Sequence, residues 1–292
     1  MTRRRSQAGF TLIEMIVVMV LVGILAGTLF MILRGPLQAV SANEDRAQLV
    51  DIAETALQRM TREIRLALPY SIRVSGSNAV EFLRLLDGGR YRAKGAGRLK
   101  FTVNNDTFSS LSTLTNAGSV ATGAGSAACI NSTADCLVVY NIGQPLTVAS
   151  ATASGSSANA YLGSAAAYDG NIATISAATA NSVSFDNNNL VGWDLSFESP
   201  RQRFHIVDTP VSFVCSGSEV HRFSGYAITP AQSTTPGGTD NLLVDQMSAC
   251  SFTLRAPTLT RAGLLTISLT INDATLGQSV TLLQQVHVDN VP

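Results

Sequence analysis

The sequence predicts an α+β protein, in which one long N-terminal helix, the stalk, packs on an antiparallel β-sheet domain. Three observations support this prediction: an apolar run over residues 10–33, a helical apolar stripe over residues 34–68, and alternating apolar and polar residues from Pro69 onward. Helical side chains repeat about every 3.6 residues and strand side chains every two, so the change of period marks the end of the stalk. A helix followed by consecutive strands is typical of the α+β class.

The N-terminal segment has the composition of a membrane anchor. Residues 1–9 form a short leader with three arginines, and residues 10–33 carry a single charged side chain, Glu14. At about 1.5 Å per residue this helix is roughly 36 Å long, which is enough to cross a bilayer. It is longer than the apolar core of a secretory signal, and no A-x-A-like site follows it. We therefore expect a single pass through the inner membrane with a cytoplasmic N-terminus, and a β-domain in the periplasm.

Glu14 needs an explanation, because a lone carboxylate in a bilayer costs a few kcal/mol unless it is paired. The positive end of the helix dipole favours an anion in the first turn. The run Gly9-Phe10-Thr11-Leu12-Ile13-Glu14 also resembles the type IV prepilin cleavage site. The resemblance implies that a prepilin peptidase cuts between Gly9 and Phe10 and that Phe10 is then N-methylated. It also implies that Glu14 pairs with the amine of a neighbouring subunit during filament assembly.

Gly23 and Gly27 form a G-x-x-x-G pair within the predicted membrane helix. Small residues at this spacing allow two helices to approach closely in lipid. Glycine is common in membrane helices, so the spacing alone is a weak signal. We take the pair as a candidate helix-packing site.

Residues 34–68 form the amphipathic, periplasmic part of the predicted stalk. Arg34, Gly35 and Pro36 indicate a kink at the membrane surface, and Pro69 ends the helix. The apolar positions then fall on one face at helical spacing, which predicts packing against a sheet. These positions are Leu49, Ile52, Ala53, Ala56, Leu57, Met60, Ile64 and Leu68.

Residues 69–292 are predicted to form the β-rich domain. Residues 79–85 alternate as a strand, and Asp87, Gly88, Gly89 and Arg90 suggest a hairpin turn. The returning strand is expected to begin at Tyr91, and residues 98–103 continue the alternation. A short strand is predicted at residues 71–74, directly after Pro69, and further strands are predicted in the C-terminal third, at residues 203–207, 209–215, 221–226, 251–254, 264–272 and 279–288.

The middle of the chain, residues 102–185, is a low-complexity insertion. Of the 40 residues at 145–184, 30 are Ala, Gly, Ser, Thr or Asn, which is too few large apolar side chains for a separate core. We expect loops and short polar strands lying on the main sheet. A partner-facing or carbohydrate-facing surface is an alternative, while residues 186–189 offer too few acids for a convincing calcium loop.

Four cysteines indicate an oxidising compartment. Four cysteines allow three connectivities, and we favour Cys129–Cys136, which flank a short polar loop, and Cys215–Cys250, which lie on two strand-like segments. A zinc site is the rival hypothesis. The spacing lacks paired C-x-x-C units and the three histidines, His205, His221 and His287, are scattered, so we expect no metal.

Charge and motifs exclude other classes of protein. The chain has 20 basic and 20 acidic residues, and loss of the three leader arginines leaves 17 against 20. A mildly acidic chain without a basic cluster argues against nucleic-acid binding. The sequence contains no G-x-S-x-G, H-E-x-x-H or P-loop motif, so we expect neither an enzyme nor a cofactor.

Several short segments carry a further family pattern: residues 67–74, 198–200, 203–204, 210–215, 222–223 and 280–292. They resemble one group of filament subunits, the minor pilins of the mannose-sensitive haemagglutinin (MSHA) pilus system. The layout is also similar to J-type pseudopilins of type II secretion and to W-type minor pilins. The resemblance implies a part in filament assembly or initiation, with other major and minor pilins, the prepilin peptidase, the inner-membrane assembly platform and the lipid bilayer as partners. A tip adhesin that binds through the insertion is the alternative.

Overall fold

One long helix, α1 (Leu12–Ile64), begins the computed structural model, and an antiparallel β-domain follows it, which confirms the α+β class. The structure describes residues 11–101, 105–143, 158–164, 171–186, 198–256, 262–273 and 278–288. The chain divides into two compact units, Met1–Leu49 and Val50–Pro292.

The first unit is helical from Leu12 onward. The helix continues without a break through Gly35 and Pro36, where the sequence suggested a kink at the membrane surface. Proline lacks a backbone donor and crowds the preceding turn, but a long helix accommodates a single proline. The unbroken helix agrees with the expectation that the membrane helix continues into the amphipathic one.

In the second unit, α1 ends at Ile64, earlier than the expected Leu68. The backbone of the next residues pairs with a strand: the Leu68 N–H donates to the Leu83 carbonyl (2.8 Å), and the Leu85 N–H donates to the Leu66 carbonyl (2.7 Å). These hydrogen bonds compensate for the helical ones that the chain gives up. The end of the helix is thus decided by the sheet before Pro69 is reached.

The predicted apolar stripe is buried in the second unit. Ala53, Met60, Ile64 and Leu68 have no exposed surface, whereas Ile52 remains 36% exposed. This is the pattern of an amphipathic helix packed along one face, with Ile52 at the margin of that face.

Twelve strands and three short helices complete the described chain. The short helices are Ala117–Ser119 and Ala160–Ser164, both 3₁₀, and α2, Ser126–Ile130. The strands are β1 (Arg73–Ser75), β2 (Ala79–Arg90), β3 (Asn105–Ser109), β4 (Cys136–Val139), β5 (Ile172–Thr179), β6 (Ser182–Asp186), β7 (Arg203–Ser216), β8 (Glu219–Ser224), β9 (Thr239–Val244), β10 (Met247–Arg255), β11 (Gly263–Asp273) and β12 (Gln278–Val288).

The strands form two antiparallel sheets. Nine of them follow the order β1-β2-β7-β4-β5-β6-β3, with β8 paired to β7 and β9 paired to β8; the other sheet has the order β10-β11-β12. The long strand β7 pairs along one side with β2, and its other side is shared between β4 and β8. It replaces the two strands expected at residues 203–207 and 209–215. The final strand pair, β11 and β12, is confirmed.

The expected hairpin turn at Asp87, Gly88, Gly89 and Arg90 is wrong. These residues belong to β2 and pair with β7, from Asp87 opposite Ile206 to Arg90 opposite Arg203. Strand β2 tolerates these turn-forming residues because its pairing register with β7 shifts just before them, between Leu83 and Asp87. The two glycines also pack closely, because neighbouring atoms of the chain lie where a Cβ would be. A Cβ on Gly89 would lie 2.5 Å from the Ser112 hydroxyl oxygen.

The expected continuation of the strand over residues 98–103 is also absent from its described part. Residues 98–101 form only an isolated bridge, between Arg92 and Arg98. Leu99 and Phe101 are nevertheless buried, because both join the core around Phe108 and Phe204. The alternation of apolar and polar residues therefore predicted correctly which side chains are buried here, but it predicted a strand where the described residues form none.

Where the structure describes the middle of the chain, its strands belong to the main sheet and do not lie on top of it, which corrects the expectation. Strands β4, β5, β6 and β3 form one side of that sheet. These strands carry large apolar side chains, and Leu137, Ile175 and Phe185 among them are buried in the core. A low average hydrophobicity hid short buried strands. The suggested loop at residues 187–189 lies outside the described residues. Residues 274–277, which belong to the turn before β12, also lie outside them.

Candidate functional site

The first turn of α1 holds the candidate assembly residue. Glu14 lies in this turn, and its backbone N–H donates to the Thr11 hydroxyl oxygen at 3.4 Å, while the Met15 N–H donates to the Thr11 carbonyl at 3.3 Å. Thr11 thus satisfies free donors at the start of the helix, as an N-cap residue does. Gly9 and Phe10 lie outside the described residues, so cleavage and methylation there remain predictions.

The following segment is apolar and uncovered. Leu12–Gly35 is a stretch of 24 helical residues whose most apolar 18-residue window has a mean hydropathy of 2.9, and none of that window is buried against the described residues. By length and composition the segment can cross a membrane. Such a surface requires an apolar environment, which lipid or neighbouring helices supply.

Gly23 and Gly27 lie within this exposed segment. A Cβ built on either residue meets no described atom within 4 Å. The chain itself therefore gives no reason for glycine at these positions. Close packing of another helix against them remains a prediction.

The β-domain contains a buried ion pair that the sequence analysis missed. The Arg73 guanidinium donates to the Glu81 carboxylate at 2.6 and 3.1 Å, and also to the carbonyls of Thr229 (2.9 Å) and Pro230 (2.6 Å). It also lies over the Tyr161 ring, 3.7 Å from the ring centre. The arginine thus ties β1 and β2 to the segment that follows β8.

Electrostatics show how strongly this site is shielded from water. Burial raises the pKa of Glu81, although Arg73 acts in the opposite direction. Burial also raises the pKa of Tyr161 and Tyr226, so both phenols stay protonated and act as hydrogen-bond donors or acceptors. The Tyr161 hydroxyl donates to the Ser71 carbonyl at 2.9 Å. This arrangement serves structure, because its charged groups are enclosed and satisfied.

A second ion pair connects the end of α1 to the sheet. Arg222 on β8 donates to the Glu63 carboxylate at 2.7 Å, and both side chains are largely buried. The partners are 159 residues apart, so neither helical spacing nor strand alternation could have paired them. The sequence carries only a weak signal for Glu63, which is the one acid among three arginines on that part of the helix, at positions 59, 62 and 65.

The histidines lie on separate strands: His205 on β7, His221 on β8 and His287 on β12. Over the described ranges, His, Cys, Asp and Glu side chains form no group of three suited to a metal ion. The structure pairs Cys129 with Cys136 and Cys215 with Cys250, as favoured from the sequence, with Cα separations of 5.1 and 6.1 Å.

Comparison with known proteins assigns the N-terminal segment to a family motif. Residues 4–30 match the family model described as the prokaryotic N-terminal methylation motif. This motif indicates a type IV pilin-like protein, a structural class without enzymatic activity whose precursors are processed by prepilin peptidase and associate with other pilins. No curated protein and no solved structure gives a significant match.

Proposed function

We propose that this chain is a minor pilin or pseudopilin of an MSHA-like type IV pilus system, which acts in filament assembly or initiation. The observation that carries the proposal is the methylation motif at residues 4–30, which overlaps the exposed apolar helix Leu12–Gly35 and includes Glu14 in the first turn of that helix. Enzymatic chemistry has no comparable support in the described residues.

A physical argument supports the proposed role of Glu14 in assembly. Cleavage after Gly9 would create a new amine on Phe10, four residues before Glu14, which is about 6 Å along a helix. Within one subunit both charges are costly in an apolar environment. Pairing Glu14 with the Phe10 amine of a neighbour neutralises both and fixes the relative position of the two helices. Gly23 and Gly27 then allow close approach further along the helix.

The proposed location and partners follow from the same segment. The basic leader stays cytoplasmic, the apolar helix spans the inner membrane, and the disulfide-bonded domain lies in the periplasm. The partners are the prepilin peptidase, the inner-membrane assembly platform, and major and minor pilins. The presence of Glu14 argues against the most distal capping position of a filament, because the capping subunit of some related systems lacks this residue.

The first experiment is intact-mass analysis and N-terminal sequencing of the membrane-extracted chain, from cells with and without the prepilin peptidase. We expect a mature chain that begins at N-methylated Phe10 only when the peptidase is present. An uncut Met1 terminus, or a cut elsewhere, would reduce the chain to a membrane-anchored domain and remove the role given to Glu14.

The assembly role of Glu14 predicts a specific defect. Glu14→Ala should leave cleavage largely intact but reduce incorporation into filaments, because the mature amine loses its partner. The amount of the chain in sheared filaments, relative to the membrane fraction, measures this. Glu44→Ala is the matched control, since Glu44 is an exposed acid on the same helix beyond the apolar segment. Normal piliation with Glu14→Ala would contradict the role.

A ligand-binding subunit is the second candidate, supported by exposed hydroxyls on the sheet formed by the insertion. Thr107 and Ser184 lie 2.7 Å apart through their hydroxyl oxygens, and Thr179 and Ser182 lie 2.8 Å apart. Deleting about residues 150–180 would remove all of β5, so substitution of these hydroxyl residues by alanine is the cleaner test. Lost adhesion with normal pili would favour binding, and lost pili would favour assembly.

A further inference from the structure

We propose that a groove between α1 and β12 receives an extended, carboxylate-bearing segment of a neighbouring filament subunit, which adds as a strand to the edge of β12. The inference rests on the proposed function in one respect only, that the partner is a filament subunit. The groove itself lies entirely within the unit Val50–Pro292.

The groove has the dimensions of a site for an extended chain. Its volume is about 650 Å³, and one face of the helix from Val50 to Leu66 forms a wall opposite Leu282, Leu283 and Gln284 of β12. Sixteen residue steps of helix cover about 24 Å. An extended chain that rises about 3.3 Å per residue spans this length with about seven residues.

The backbone of β12 is available on the side away from β11. Strand β12 pairs with β11 along its whole length, from Val288 opposite Gly263 to Gln278 opposite Asp273. Among the strands that the structure describes, none pairs with the other side of β12. An unpaired strand edge is a template for strand addition, because its N–H and C=O groups hydrogen-bond to an extended partner.

Two exposed leucines are among the residues that line the same groove. Leu283 is 62% exposed and Leu66 is 48% exposed, although both belong to the folded domain. Single exposed leucines are ordinary on protein surfaces. Two of them beside an open strand edge provide sites for alternate apolar side chains of an added strand.

The charges of the groove select an acidic partner. Arg62 and Arg65 line the groove and are exposed, and neither has a carboxylate partner among the described residues. The acid of the groove, Glu54, accepts a hydrogen bond from the Gln58 side chain at 2.9 Å. Two unpaired guanidinium groups bind a carboxylate through paired N–H donors, so the added strand should carry at least one Asp or Glu.

The test is photo-cross-linking in piliated cells that produce the full chain, with p-benzoylphenylalanine in place of Leu283. We expect one main adduct, whose cross-linked peptide is an extended segment of another filament subunit that contains Asp or Glu. The double charge reversal Arg62→Glu/Arg65→Glu should lower the yield of this adduct by about five- to tenfold. The matched reversal Lys94→Glu, at an exposed lysine elsewhere in the domain, should leave it unchanged.

Further controls distinguish a wrong groove proposal from a wrong assignment of the chain as a filament subunit. Non-reducing electrophoresis and limited proteolysis show whether each variant folds, and Arg62→Gln/Arg65→Gln replaces the double reversal if that variant does not fold. The same cross-linker in place of Val18, within the apolar helix, reports contact with neighbouring stalks. Three outcomes would overturn the groove proposal. They are subunit adducts at position 18 but none at position 283, an adduct at position 283 to a helical segment, and an adduct yield that neither arginine variant changes. Absence of subunit adducts at both positions would overturn the filament role as well.

Discussion

Single residues of the β-domain show how burial determines the cost of charge. Arg73 and Glu81 are 12% and 2% exposed, and the arginine is satisfied by two carbonyls as well as by the carboxylate. A pair of this kind contributes little compared with well-packed apolar side chains, but loss of one partner leaves a buried charge without compensation. The pair therefore determines which segments lie together more than how stable the domain is.

Arg73→Met should accordingly lower the free energy of unfolding by about 3–5 kcal/mol, because Glu81 remains buried and unpaired. Urea denaturation of the detergent-solubilised full chain measures the change. In the double variant Arg73→Met/Glu81→Leu, most of the loss should be recovered. Equal losses in the single and double variants would contradict this account of the pair.

His221 is the residue that links stability to pH near neutrality. Its Nδ1 lies 2.8 Å from an Asp240 carboxylate oxygen, and its Nε2 lies 2.9 Å from one of Glu219. A neutral imidazole has one N–H donor, so only the imidazolium donates to both acids. The hydrogen bonds to Asp240 and then Glu219 raise the pKa of His221 above its ordinary value of 6.5.

The sign of the pH dependence follows from this shift. The stabilising contribution of His221 is complete below pH 6.5, and it is lost as the pH rises through the raised pKa of the folded state. We expect the free energy of unfolding to fall over that interval, and His221→Gln to flatten the profile there. Denaturation curves across the interval test this, and an equal slope in the variant would contradict the assignment.

At the scale of elements, backbone pairing sets the boundaries that sequence signals left uncertain. The end of α1 lies before Pro69, because residues 66–68 exchange hydrogen bonds with β2. Strand β2 likewise continues through two glycines, because β7 is long enough to pair with all of it. In both cases a partner distant in sequence outweighs a local preference for helix or turn.

Gly89 gives this conclusion a direct test. A Cβ there would lie 2.5 Å from the Ser112 hydroxyl, 2.9 Å from the Ser110 hydroxyl and 3.0 Å from the Phe204 ring. Gly89→Ala should therefore lower the free energy of unfolding by about 1–3 kcal/mol through overpacking. Gly118→Ala, whose Cβ would meet nothing within 4 Å, should have a much smaller effect. Equal effects in thermal or urea denaturation would show that residue 89 is not packed in a strand.

At the scale of the whole molecule, the disulfides differ in how much of the chain they constrain. Cys129 and Cys136 are separated by 7 residues, and Cys215 and Cys250 are separated by 35. The second bridge joins β7 of the large sheet to β10 of the small one. A longer closed loop restricts the unfolded chain more, so the second bridge should stabilise the protein more.

Cys215→Ser/Cys250→Ser should therefore cost about 4 kcal/mol of unfolding free energy, and Cys129→Ser/Cys136→Ser about 2 kcal/mol. Chemical denaturation of the detergent-solubilised variants measures both, with the unmodified chain under oxidising conditions as the reference. A larger loss from the short loop would mean that chain entropy does not govern these bridges.

The sequence alone determined the features that depend on local composition and period. A lone acid after a basic leader, an uninterrupted apolar run and a helical stripe specified the stalk, because burial in lipid or against a sheet requires those patterns. The final strands β11 and β12 were also clear, because β11 alternates from Leu265 to Ile271 and a turn-like segment separates it from β12. The α+β class followed from the order of these segments.

Only the tertiary structure decided which distant segments meet. Low average hydrophobicity concealed β4 and β5, whose few apolar residues lie in the core because β7 brings them there. The ion pairs Arg73–Glu81 and Glu63–Arg222, and the groove beside β12, depend on contacts across the sheet. Sequence period records which face of an element is buried. It does not record which other element covers that face, because pairing is selected by the packing and hydrogen bonding of the whole chain.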